Sequence, residues 1–467
     1  MRPHAAPLTL RRRRLWLLGA WLLGVVMLAP ILTRPTLSFV LVVAVVAIWL
    51  AWKSVAYPLA AAGVPPLVDA IVGSNPLPKG GFTFLFAAWI TLAVFFSIMR
   101  GKTGVPSRAL MSVPVVLSFV LLGLMLLRLG PSSAEAYGSV KVQLFVADTL
   151  IVLVGAVFVG SSRADLEKFL MATLAILAGG ALLLLFNLVS GGAHTVVADR
   201  FSLAAQEYPI YLARDSADGL LVAIYAILAA TRPQVRAWAV AVSPALVVAL
   251  IAAGSRGPIV AFAFGLVTLI GLAAASGRTR TRLLIVAGAL LVAMILVPLV
   301  VPGSSIGRSL SAVLGSSAGL SSNGRSDLWS QAFTAFNLHP LLGVGWGGFA
   351  ALNPSELYPH NILLEVSTEL GIVGAAVVVG IVGGGARTLI SIWRSTRGTE
   401  KLQAALLISL LLTAFVNALF SGAIQDNAHV WLWAGLGLGM SARLVGLPRR
   451  TPPLAHSEHA GAGGKVA

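Results

Sequence analysis

Thirteen apolar runs follow one another along the chain, at about 15–33, 36–52, 82–99, 109–129, 140–160, 169–190, 216–230, 237–253, 258–275, 283–301, 362–386, 402–421 and 428–446. A helix of about 20 mainly apolar residues crosses the hydrocarbon core of a bilayer. A series of such runs therefore folds as a bundle of membrane-spanning helices, and the alternation that a β-barrel needs is not seen. Composition agrees. The hydrophobic set makes up 58% of the residues and charged residues only 10%, whereas a soluble domain carries roughly 25% charged residues. A water-soluble enzyme is excluded. The chain has no cysteine, so disulfides, thiolate metal sites, iron–sulfur clusters and a cysteine nucleophile are excluded as well. A fourteenth, weaker stretch lies between Ser54 and Gly73, interrupted by Pro65 and Pro66 and carrying Asp69. It either crosses or re-enters, and the fold class expected is all-α and polytopic with about 12–14 transmembrane helices.

The formal net charge of +17 invites a nucleic-acid reading, which the placement of the charges removes. With Arg11 to Arg14 facing the cytoplasm and the weak stretch crossing, 24 of the 33 basic residues and 4 of the 16 acidic ones fall on the cytoplasmic side. The outer side then holds 9 basic and 12 acidic residues. That asymmetry is the positive-inside rule, so the expected surroundings are membrane lipids and no nucleic acid is called for. If the weak stretch is re-entrant, the sides downstream invert against the rule.

No small-residue cleavage site closes the first run, so it is expected to stay as a helix. The expected organisation is a basic cytoplasmic segment at 1–14, a transmembrane bundle at 15–301 with an outer loop at 191–214, a large extracytoplasmic loop at 302–360, C-terminal transmembrane helices at 361–447, and a disordered cytoplasmic tail at 448–467. Both termini are then cytoplasmic. His456 and His459 in that tail read as solvated residues. The large loop carries Trp329, Phe333, Phe336, Trp346 and Phe349, with helical spacing near Ser326 to Phe336.

Basic residues on the outer side run against the topology rule and are the more informative for it. Arg256 stands in Gly254-Ser255-Arg256-Gly257-Pro258, a tight turn between two spans. Arg200 and Arg214 lie in the first long loop, and Arg308 and Arg325 in the second. Guanidinium groups grip phosphate oxygens bidentately, so such a face suits a polyanionic head group, and snorkelling to lipid phosphates is the plainer alternative. Tyr358-Pro359-His360-Asn361 precedes an apolar run containing Glu365 and Glu369. An offset of four puts both carboxylates on one helix face below His360, and histidine is the side chain suited to proton transfer near neutral pH. A cap or surface role is the common alternative for a histidine at a helix start.

Ser255-Arg256-Gly257, Gly324-Arg325-Ser326-Asp327-Leu328-Trp329, His339-Pro340-Leu341-Leu342-Gly343-Val344-Gly345 with Phe349, His360-Asn361, and Glu369-Leu370-Gly371-Ile372-Val373-Gly374 occur in that order. Together they resemble the O-antigen ligase and O-antigen polymerase family over roughly Asp199 to Trp433. The resemblance implies a fold similar to the membrane-embedded C class of glycosyltransferases, in the bacterial inner membrane, with its active site on the extracytoplasmic face. It implies transfer of a glycan from a polyprenyl diphosphate donor to a hydroxyl on a glycan, lipid or protein acceptor, with no cofactor and no metal. His360, Arg256 and Arg325 are the expected catalytic residues. Arg200, Arg214, Asn361, His339, Glu365, Glu369 and Trp346 are expected on the diphosphate or glycan. No Asp-x-Asp pair is present to hold Mg²⁺, and preorganised arginines supply comparable charge stabilisation. Polymerisation of lipid-linked repeat units is the alternative within the family. A proton-coupled transporter or lipid flippase is the alternative from another class: Glu365 and Glu369 suit it, and the missing inverted repeat counts against it.

Overall fold

A computed structural model describes residues 35–62, 81–101, 104–129, 135–190, 195–197, 200–202, 209–273, 325–353 and 355–446, with single positions at 281, 285, 288 and 292. The helices are α1 (Pro35–Lys53), α2 (Ala56–Ala62), α3 (Gly81–Met99), α4 (Val113–Leu127), and α5 (Glu135–Leu144), which continues through a π turn (Phe145–Leu150) into α6 (Ile151–Gly160). They are followed by α7 (Arg163–Ser190), α8 (Pro209–Ala229), α9 (Pro233–Ala252), α10 (Arg256–Ala273), α11 (Arg325–Leu338), α12 (Ile362–Ser395), α13 (Gly398–Phe420) and α14 (Ala428–Val445). One small antiparallel hairpin pairs β1 (Thr195–Val197) with β2 (Arg200–Ser202).

Among the described residues, seven helical stretches are long and apolar enough to cross a membrane: α3, α5 with α6, α7, α9, α10, α12 and α13. The chain is an all-α, multi-pass membrane protein. Its outer helices turn Val46, Trp49, Phe84, Phe95 and Val267 outward, a surface that lipid solvates and water does not. The interior helices meet through small residues, as bilayer packing favours. Along the α6–α14 seam, side chains at Gly160 and Gly439 would collide with the main chain of the opposite helix.

Helix ends gather at two poles. At the basic pole, Arg100 Nη1 donates to Lys53 O (3.4 Å), Ser54 Oγ donates to Asp165 Oδ1 (2.8 Å), and Arg443 lies 3.5 Å from Glu400. At the opposite pole, Arg214 near the start of α8 and Glu365 near the start of α12 both bond to the turn that joins α13 to α14, and Lys141 of α5 reaches Glu365.

Two expectations are revised. α8 begins at Pro209, seven residues before the expected run, because the polar group Arg214, Asp215, Ser216 and Asp218 is buried in the bundle rather than spread along a loop. The run expected at 362–386 extends to Ser395 and is broken at Gly371. The runs 15–33 and most of 283–301, the weak stretch beyond Ala62, Arg308 and the tail 448–467 lie outside the described residues.

Candidate functional site

α12 is interrupted where Gly371 takes φ 66° and ψ −163°, a region essentially closed to other residues. The break frees main-chain groups inside the protein, and the segment 340–345 satisfies them. Val344 N donates to Thr368 O (2.9 Å), Gly345 N to Glu369 O (3.1 Å), and Ile372 N to Pro340 O (2.8 Å). A side chain at Gly343 would strike the Glu369 carbonyl, and one at Gly371 the Leu341 carbonyl. Two separate sequence motifs are thus the two halves of one main-chain joint. α11 braces it: Leu328 and Ala332 pack with Phe349, Trp329 and Leu364, and Thr368 Oγ1 donates to Ala332 O (3.0 Å).

Beneath the joint lies an ionic cluster. Lys141 Nζ is 2.7 Å from Glu365 Oε1 and 2.6 Å from Glu369 Oε2, and all three side chains are fully buried. Glu369 Oε2 also accepts from Gly347 N (3.0 Å), and Glu365 Oε2 accepts from Ile424 N (2.9 Å). The Trp346 ring, buried to 2% exposure, covers the ammonium at 4.0 Å. Opposite charges and amide donors are what make a charge tolerable at this depth. Glu365, Glu369 and Trp346, which the sequence pattern points toward substrate, are here gathered around the Lys141 ammonium. Lys141 is the partner that sequence reading does not single out, because it stands as one charge at the head of an apolar run.

His360 stands above this cluster with φ 54°, the one positive value for a non-glycine residue among those described. Three contacts hold the turn. Asn361 caps α12, its Oδ1 accepting from Leu363 N and Leu364 N (3.0 and 3.1 Å). Trp329 Nε1 donates to Pro359 O (3.0 Å). The Tyr358 and His360 rings meet with centroids 4.5 Å apart and planes tilted by 58°. His360 Nε2 lies 3.4 Å from Glu356 Oε2, while Nδ1 is enclosed with no hydrogen-bond partner among the described residues. Burial holds the imidazole below its usual pKa, with Arg325 adding in the same direction and Glu356 opposing. It is therefore neutral at neutral pH and able to accept a proton.

The expected arginines separate by environment. Arg256 opens α10 and is exposed. Arg325 opens α11, close enough to His360 to act on its charge. Arg214 is buried, donating to Ser421 O (2.6 Å) and Asp426 O (3.2 Å), so its fork is committed to the turn between α13 and α14. Arg200 opens β2. His339 is exposed at the end of α11.

A second polar group lies deeper, where sequence reading predicts only spans. His429 Nδ1 is 3.0 Å from Asp218 Oδ2, and both line a small chamber with Asp215, Thr173 and Trp433. Asp148, carried inward on the π turn, faces Asp426 and His429. An acid inside an apolar run was the available signal for Asp148 and Asp218.

Residues 240–379 match the family model described as O-antigen ligase. The matched stretch contains Arg256, Arg325, His339, Trp346, His360, Asn361, Glu365 and Glu369; Lys141, Arg200 and Arg214 lie outside it. No curated protein matches the chain.

Proposed function

From the O-antigen ligase domain at residues 240–379, we infer that the chain moves a glycan from a polyprenyl diphosphate carrier to an acceptor hydroxyl on the extracytoplasmic face of the inner membrane. The bond between the anomeric carbon and the diphosphate oxygen breaks, and the diphosphate leaves with the electron pair. The acceptor oxygen bonds to that carbon, and its proton passes to His360. Negative charge grows on the leaving group, and Arg256 and Arg325 are the groups to stabilise it, single preorganised donors of this kind being worth about 3 kcal/mol. His360, as general base, contributes on the order of 10² to 10⁴ fold. A glycan, a lipid or a protein hydroxyl fits the acceptor role, and a polymerase differs from a ligase only in that choice.

The observation that carries this reading is His360 itself: an imidazole on a strained, positive-φ residue directly before the Asn361 cap, in tilted ring contact with Tyr358, held neutral by burial, beside Arg325 at one pole of a membrane bundle. Metal-free chemistry belongs to the proposal. The test uses purified protein with a polyprenyl diphosphate glycan and a hydroxyl acceptor. His360→Ala is expected to abolish transfer, His339→Ala to reduce it in part, and EDTA to leave the wild type unchanged. Full activity in His360→Ala, or loss in EDTA restored by Mg²⁺ or Mn²⁺, refutes the mechanism.

A further inference from the structure

The two ring nitrogens of His360 sit in different surroundings. Nε2 is 3.4 Å from the Glu356 carboxylate, whose side chain is 52% exposed, and Nδ1 is enclosed and unpartnered among the described residues. A neutral imidazole carries one N–H, and the hydrogen bond made by one nitrogen fixes which atom keeps the lone pair. An enclosed N–H with nothing to donate to is the costlier arrangement, whereas a carboxylate beside Nε2 gives that proton an acceptor.

We propose that Glu356 is a positioning residue for His360, holding the proton on Nε2 so that the sheltered Nδ1 is the atom that takes the acceptor's proton. The proposal rests on the reading of His360 as the base. The acceptor O–H bond breaks, its proton joins Nδ1, and the resulting imidazolium is stabilised by Glu356 through the Nε2–H contact. The half-exposed carboxylate then offers a way for the Nε2 proton to reach water. Shelter of Nδ1 keeps bulk water from competing for the base, which favours transfer over hydrolysis. Transfer through Nδ1 requires the acceptor hydroxyl to enter the enclosure around this nitrogen. The groups facing the imidazole are Glu356 and the tilted Tyr358 ring in its own turn, Arg325 at the start of α11, and Asp426 in the turn before α14. Of these, Glu356 is the one whose oxygen touches a ring nitrogen.

The geometry also bounds the effect. A half-exposed pair at this distance is screened, so its removal is expected to cost about fivefold, far less than the roughly 10⁴-fold seen when a buried triad carboxylate is altered. The experiment measures transfer to a hydroxyl acceptor against pH for wild type, Glu356→Ala, Glu356→Gln and Glu356→Asp in the full-length protein. Glu356→Ala is expected to lower kcat about fivefold at neutral pH, leave KM unchanged, and move the acid limb to lower pH. Glu356→Asp is expected to recover more than Glu356→Gln. Azide as an alternative nucleophile carries no proton to remove, so its glycosylation is expected to be equal in wild type and Glu356→Ala.

An unshifted acid limb with wild-type kcat in Glu356→Ala overturns the proposal. So does an equal loss with azide and hydroxyl acceptors, which marks a merely structural role. If Glu356→Ala does not fold, the same readings on Glu356→Gln decide. Inactive His360→Ala together with wild-type Glu356→Ala defeats this inference alone, whereas active His360→Ala defeats the base on which it rests.

Discussion

Replacing Gly371 by alanine attacks the joint in α12 at its one indispensable point. Its φ of 66° and ψ of −163° cost any other residue about 1–3 kcal/mol. The added methyl would also stand inside the Leu341 carbonyl, in contact with main chain that cannot rotate away as a side chain would. Relief requires segment 340–345 to withdraw, with loss of the Val344, Gly345 and Ile372 hydrogen bonds, each worth about 0.5–1.5 kcal/mol net. The sum is about 3–7 kcal/mol. At Gly383, on the same helix, a methyl group would meet nothing within 4 Å, so alanine there is expected to stabilise by up to about 1 kcal/mol. Thermal unfolding of both variants in the same detergent compares them directly. Gly371→Ala is expected to lower Tm by on the order of 5 °C or more and Gly383→Ala to leave it level or raised. A Gly371→Ala protein as stable as wild type, or an equal drop in both variants, would refute the joint as described.

Lys141→Met strands two buried carboxylates and is expected to destabilise by about 3–5 kcal/mol. Adding Glu365→Gln and Glu369→Gln should recover most of that loss in the same unfolding assay. Arg256→Lys keeps the charge and loses the bidentate fork; transfer is expected to fall at least about tenfold with membrane expression unchanged, and wild-type activity in Arg256→Ala would remove this residue from the site. Because burial lowers the His360 pKa below 6.5, the neutral form is the one folding favours. Transfer should therefore stay level from neutral pH down to about the ordinary histidine value and decline only below it. A decline beginning above pH 7 would contradict the sheltered imidazole.

The spans were legible because length and apolarity decide them. The motifs were legible because their glycines and prolines punctuate the chain. Their union was not, since the joint between 340–345 and 368–372 is made of main-chain groups that no residue type announces. Glu365 and Glu369 were visible as polar residues at an expensive depth, but their spacing says nothing of Lys141, more than two hundred residues away. Arg214 reads as a loop residue because it sits among Asp215, Ser216 and Asp218, a run of polarity that suggests solvent exposure when its partners are distant. The π turn that carries Asp148 was invisible, because its sequence, Phe145–Leu150, would fit an ordinary helix.

The joint in α12 has a chemical indifference that the ionic cluster beneath it lacks. Peptide groups do not titrate, and counter-ions barely reach them in the interior. Acid or concentrated salt can therefore weaken the exposed charges around His360 without unlatching the backbone on which that residue stands. The charges around His360 are free to change, while the backbone joint below them is kept by two glycines and three amide contacts.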